Sequence, residues 1–238
     1  MFERMQIILE DFGPLFVKGI GVTLLLAFLG TIFGFIIALI FSVIRLQKIN
    51  KNDIWIIKLL KKLGHGFVKT YVTVFRGTPM MVQAVIFFYS FYQIGIRWSH
   101  LQAGIFTISL NTAAYLTEVL RSGINSVDKG QYEASRSIGL NGLKTYIFVI
   151  FPQAIKNSFA SIGNELIVNI KDSSVLSVIT VVDLFYIAKS ASSKYYWYVE
   201  AMLLAAFMYL ILTFITSKIL NLIERKLDIQ PKDIVSSN

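Results

Sequence analysis

Apolar and polar positions fall in long blocks along this chain. Gly19 to Ile44 carries no charge over 26 residues, more than the roughly 20 that a helix needs to cross a bilayer. A basic block follows, Arg45 to Lys69, with seven Lys or Arg and one Asp. Further apolar blocks cover about 66–92, 103–123 and 146–182, and a last one runs from Ala201 to Ser217. The pattern predicts five spans. The fourth is interrupted by Pro152, Lys156, Gly163, Glu165, Lys171 and Asp172. Irregular backbone and charge at membrane depth survive only when buried in protein or lining water, so a broken helix along a path is predicted there.

The stretches between blocks add detail. Residues 1–18 read as an interfacial lead-in on the outer face, interrupted at Gly13-Pro14. Gly30 and Gly34 form a G-x-x-x-G pair that lets another helix approach closely. Ile54 to Leu63 mixes apolar residues with Lys58, Lys61 and Lys62, which suggests an amphipathic surface helix or an extension of the next span. Pro79, after Gly77-Thr78, should kink the second span. Asp183 to Tyr198 returns to polar residues and ends in an aromatic run suited to headgroup level. The tail from Asp228 is polar and expected to fray. Bases concentrate at 45–69, 124–145 and after Lys218. These segments are therefore expected in the cytoplasm, with the N-terminus outside and the C-terminus inside.

Composition narrows the class. The chain has 238 residues, 55% hydrophobic, with a mean hydropathy of +0.64. An all-α polytopic membrane protein, one transmembrane domain over 1–238 with its core at about 15–226, is the expectation. The net charge of +9 sits in loops and does not imply a nucleic-acid partner. There are no cysteines, and the two histidines, His65 and His100, are far apart and read as loop residues. No metal site is expected. Gly64 to Thr70, G-H-G-F-V-K-T, lacks the G-x-x-x-x-G-K-[ST] spacing of a phosphate loop. No catalytic constellation stands out, so no catalytic residue and no cofactor are expected in this chain. Acidic Glu3, Glu10 and Asp11 before the first apolar run do not fit a secretory signal. No internal repeat of the kind common in large secondary transporters is visible. Five spans are few for a closed pathway, so the chain is expected to supply half of a pore.

A short polar segment, 128–142, leads into Tyr146 to Pro152. Asp128 and Gln131 suggest a capping box. Gln131 to Ile138 makes about two turns, Gly139 offers a left-handed stop, and Asn141-Gly142 is a turn signal. Spacing alone leaves two readings open: an ordinary loop, or a short helix lying across the cytoplasmic ends of the spans for a partner to grip.

Motifs favour the second. Glu133-Ala134-Ser135, then Gly139, then Val149-Ile150-Phe151-Pro152, resembles the E-A-A, G, I-x-L-P signature of the membrane subunit of ABC importers. Ser135, Val149 and Phe151 are mild departures. Phe75 to Gln83 resembles F-R-G-T-P-L-L-V-Q of the polar amino-acid branch. Asn111 to Gly123 resembles N-S-G-A-Y-x-A-E-x-x-R-G-G. Gly163-Asn164-Glu165 and Lys171 to Ser174 resemble G-N-Q and K-D-T-S. The resemblance covers roughly residues 12 to 228, with four motifs in order.

The resemblance implies the type I importer permease fold in a bacterial cell membrane. It also implies two membrane subunits, identical or paralogous, forming the path. Separate ATPase subunits would bind ATP and Mg, and an external substrate-binding protein would deliver an amino acid. Glu133, Ala134, Ser135, Gly139 and Pro152 would couple to the ATPase. Candidate path residues are Glu118, Asn111, Arg76, Gln83, Asn164, Lys171 and Asp172. An amino acid needs an anion for its ammonium, where Glu118 could serve, and a cation for its carboxylate, where Arg76 or Lys171 could. Alternatively, these charges pair with one another to hold the bundle. Rival functions are an ion-coupled secondary transporter using Glu118 and Asp172, and a membrane scaffold that recruits an ATPase.

Overall fold

The computed structural model describes residues 1–47, 49–50 and 53–226. The expected polar tail lies outside them. The chain folds as α1 (Phe2–Leu46), α2 (Trp55–Gly77), α3 (Met80–Gln93), α4 (His100–Asn125), α5 (Lys129–Ser137) and α6 (Gly142–Thr145). A π turn (Tyr146–Ile150), α7 (Phe151–Asp172), a 3₁₀ segment (Ser173–Ile179), α8 (Leu184–Tyr195) and α9 (Tyr198–Lys226) follow. No strand occurs among the described residues.

α4 lies at the centre, against α1 on one side and α7 on the other. The G-x-x-x-G expectation explains the first contact. A Cβ on Gly34 would stand 2.9 Å from Thr112 Cβ and 3.1 Å from the Ser109 carbonyl, and one on Gly30 only 1.8 Å from Ile108 Cγ2. Gly123 does the same at the other crossing, where a Cβ would meet the Ala154 carbonyl at 2.6 Å. Buried Asn169 then ties all three helices. Its Nδ2 donates to Thr31 Oγ1 at 2.9 Å and to Thr112 Oγ1 at 3.0 Å.

Several expectations change. Residues 1–18 are no separate lead-in, because α1 runs unbroken through Gly13-Pro14. At 1.5 Å per residue its 45 residues reach about 68 Å, well beyond a hydrocarbon core of about 30 Å. Ile8, Phe12 and Phe16 are buried against Leu184, Ile187 and Leu204. This packing outweighs the bond lost at Pro14. Asp183 to Tyr198 holds a helix, α8, whose Asp183 N-cap accepts from Tyr186 N at 2.9 Å. The stretch 54–63 is the start of α2, not a separate surface helix. His65 lies within α2, and His100 opens α4, so neither is a loop residue.

The second span is not a kinked helix. α2 and α3 meet at 110°. Pro79 cannot donate to the Phe75 carbonyl four residues back, and it drives Thr78 into the extended region, with ψ 144°. α1 and α9 are each long and apolar enough to cross a membrane, and α2–α3 and α6–α8 qualify as bent pairs. α4 has the length, 26 residues, but a more polar make-up, with Thr107, Ser109, Thr112 and Thr117 buried. α9 keeps Phe207, Leu210, Phe214 and Leu222 more than half exposed, as a surface facing lipid or another subunit would be.

Candidate coupling and translocation sites

The expected short helix forms. Asp128 caps α5 by accepting from Gly130 N at 2.7 Å. The expected capping box does not form there, because Gln131 turns instead toward Gln153, 3.4 Å away. A complete box occurs at Ser99 and Gln102, opening α4. Gly139 closes α5 at φ +89°. Gly139 N donates to the Arg136 carbonyl at 3.1 Å, and Leu140 N to the Ser135 carbonyl at 3.2 Å. This bond pair is a Schellman closure. Asn141 Oδ1 then accepts from Lys144 N at 2.9 Å and starts α6.

Within α5, Glu133 and Ala134 are exposed and Ser135 is buried. The Ser135 hydroxyl donates to the Gln131 carbonyl and to the Tyr132 carbonyl, so a serine fits where the motif has a second alanine. Ile138 is 80% exposed at the helix end. Pro152 has no N–H for the Phe148 carbonyl. The helix widens just before it, and Phe151 N donates to Tyr146 O, five residues back. The π turn is the local consequence. Tyr132 of α5 packs with Ile124 and Tyr146 against the buried cluster of Val127, Ile150 and Ala154, which ties α5 to the end of α4, the π turn and the start of α7.

Gln83 and Asn111 come together, and their geometry gives them a definite task. Gln83 Nε2 donates to the Phe75 carbonyl at 3.0 Å, to the Thr78 carbonyl at 3.1 Å and to Thr78 Oγ1 at 2.8 Å. The first is the carbonyl that Pro79 orphans. Asn111 Nδ2 donates to Gln83 Oε1 at 3.0 Å. The two amides satisfy the broken backbone between α2 and α3 and tie it to α4. The Tyr71 hydroxyl adds a bond to the Leu110 carbonyl at 2.7 Å.

Arg76 and Glu118 share a cavity of about 480 Å³ with Tyr115, Asn157, Ser161 and Glu165. The Arg76 guanidinium stands 5.2 Å from the Tyr115 ring centroid. The Glu118 carboxylate is occupied: Arg45 donates to one oxygen, and Arg121 Nε to the other at 2.8 Å. Glu165 is half-buried and makes no ion pair among the described residues. Asp172 lies two turns further along α7. Asn164 sits apart in a cleft between α7 and α9 with Asn221 and Glu224, and Lys171 is exposed at the end of α7. The expected path residues therefore divide into Arg76 and Glu118 at the cavity, Gln83 and Asn111 at the helix break, and Asn164, Lys171 and Asp172 elsewhere, while Glu165, not among them, joins the cavity.

The profile of the binding-protein-dependent transport system inner membrane component family matches residues 55–229. The chain belongs to that family. A putative glutamine transport system permease protein of Rickettsia conorii is 39% identical over 212 residues, covering 89% of this chain and 92% of the relative. The L-cystine transport system permease protein of Bacillus subtilis is 35% identical over 228 residues, covering 94% and 91%. Among solved structures, an amino acid ABC transporter crystallised with histidines is similar at TM-score 0.77 and 35% identity, covering 92% of this chain and 96% of that one. An inward-facing methionine ABC transporter matches at TM-score 0.74 and 20% identity, covering 93% and 99%, a likeness of fold. The α5 segment and the α2–α3 break are thus parts of an ABC importer permease fold.

Two residues of weight escaped the sequence reading. Asn169 looks like one polar residue in a mixed stretch, and only the fold gives it partners on α1 and α4. Glu165 stood in a motif as a Glu where the family pattern has Gln, a signal that could have marked it.

Proposed function

We propose that this chain is the membrane subunit of an ATP-driven amino-acid importer and supplies half of the translocation path. One arrangement carries the reading. A short helix, closed at both ends and exposing Glu133 and Ala134, is tied by Tyr132 and Gln131 to the π turn and the adjoining ends of α4 and α7, and the same two helices wall the cavity that holds Arg76 and Glu165. Movement imposed on α5 is therefore delivered to the cavity through rigid helices.

In this reading the bases place α5 in the cytoplasm and the N-terminus outside. Separate ATPase subunits bind ATP and Mg and seat on α5. An external binding protein delivers the solute, and a second membrane subunit, identical or related, completes the path. This chain supplies no ATP site of its own. Gly64 to Thr70 lies inside α2, where the backbone N–H groups are engaged along the helix and cannot cradle phosphate.

Arg76 suits the substrate carboxylate. Glu165, rather than the doubly paired Glu118, suits the ammonium. Glu165→Gln keeps the shape and removes the charge. In proteoliposomes holding the whole assembly, it is expected to lower uptake at least tenfold, equivalent to about 1.4 kcal/mol. Binding-protein affinity and basal ATP hydrolysis should stay within twofold. Unchanged uptake would remove Glu165 from the path.

A further inference from the structure

Two contacts fix the relative levels of α4 and α7. A Cβ on Gly123 would stand 1.9 Å from Ser158 Oγ, and Asn169 Nδ2 donates to Thr112 Oγ1 at 3.0 Å. The helices therefore run antiparallel, with Tyr115 level with Glu165. Arg76 lies over the Tyr115 ring, so one cation and one acid flank the cavity at the same depth. Neither makes an ion pair among the described residues. Glu118 adds no free charge, because Arg45 and Arg121 hold it. Both arginines line a neighbouring cavity at the ends of α1 and α4.

The acidic face of α7 continues past the cavity. Asp172 is seven residues beyond Glu165, about 10 Å along the axis and only about 20° around it. It thus shares the face on which Ser158, Ser161 and Glu165 line the cavity. Asp172 is half-buried, caps no helix end and makes no ion pair among the described residues. Its neighbour Lys171 is exposed and lies about 100° around the helix. One cation and two acids therefore stand unpaired along one face at membrane depth, where an isolated charge is costly. The carboxylate of an amino acid satisfies Arg76, and its ammonium satisfies Glu165. Asp172 is left over. A positively charged side chain supplies its partner, whereas a neutral one leaves it unpaired and an acidic one opposes it.

We propose that the substrate is an amino acid with a cationic side chain, held by its carboxylate at Arg76, by its ammonium at Glu165 and by its side-chain charge toward Asp172. The proposal rests on the reading of Arg76 and Glu165 given above and adds Asp172 as the residue that selects the charge class. Discrimination of this kind is strong, because a ligand that lacks the matching group leaves a desolvated polar group without a partner.

Binding of labelled arginine to the purified membrane assembly, with the external binding protein left out, tests it free of that protein's own preference. Lysine is expected to compete at least tenfold better than glutamine, and glutamate should not compete. D172N should weaken arginine at least fivefold and bring it within threefold of glutamine, whereas D172E, which keeps the charge, should retain the preference. R76Q and E165Q should weaken arginine and glutamine both, since they remove partners of groups common to all amino acids. If those two variants weaken binding while glutamine competes as well as lysine in the native protein, the charge class falls and the reading of the cavity stands. If both variants bind as the native protein does, the reading of the cavity falls and takes this proposal with it. Native preference in D172N, or no arginine binding at millimolar concentration, would also overturn the proposal. The comparison on the native protein decides the charge class even where D172N fails to assemble.

Discussion

At Gly139 one dihedral decides whether α5 ends where the motif needs it to. At φ +89° an L-residue clashes with its own carbonyl, at a cost of about 1–2 kcal/mol, more for a β-branched one. There is open space around the position, with nothing within 4 Å of a built Cβ. A substitution there therefore acts through the backbone and not through crowding. Gly139→Val is expected to leave the chain inserted and the bundle intact but to unseat the end of α5, so that ATP hydrolysis continues while uptake falls several-fold. Coupled uptake at the native rate would show that the turn is dispensable. Glu118 shows the limit of reading single residues. A carboxylate in an apolar span marks a functional or paired site, and the sequence offers no way to choose. The two arginines that hold it come from α1, 73 residues away, and from its own helix. Only the first of those contacts depends on the fold.

At the scale of elements, what was legible was whatever is written locally. The charge-free run of α1, the caps of α5 and the G-x-x-x-G pair are local signals, and each produced its element. The α2–α3 turn was legible only in part. Pro79 announces a break, but its 110° angle depends on Gln83 and Asn111 satisfying carbonyls that would otherwise stay orphaned at membrane depth. α8 was missed because Lys189, Lys194 and three serines mask its apolar face, Leu184, Ile187, Ala188 and Ala191. The α1–α4 crossing gives the test at this scale. Gly34→Leu places a side chain against the Thr112 Cβ and the Ser109 backbone, and overpacking of this kind costs about 1–3 kcal/mol. A lowered thermal midpoint in detergent is expected, with no change in the residues that line the substrate cavity. A midpoint at the native value would mean that the helices separate freely and that the close approach is not a constraint.

For the whole molecule, the consequence of this packing is a lever. α5 is tied through Tyr132 to the cluster at the end of α4 and the start of α7, these helices share Asn169 and Thr112 with α1, and Glu118 on α4 and Glu165 on α7 stand along them in one cavity with Arg76 of α2. Large exposed apolar faces on α3 and α9 leave room for a second subunit and for lipid. A lever of this kind has a use when another protein pushes α5 and spends ATP to do so. An ion-coupled carrier would not need it. The decisive measurement is amino-acid uptake into proteoliposomes that contain the chain with its ATPase and binding protein, under two conditions. One has ATP with no ion gradient, and the other has a proton or sodium gradient with no ATP. Uptake with ATP alone, abolished by omitting the ATPase, is the predicted result. Uptake driven by the gradient alone would contradict the account.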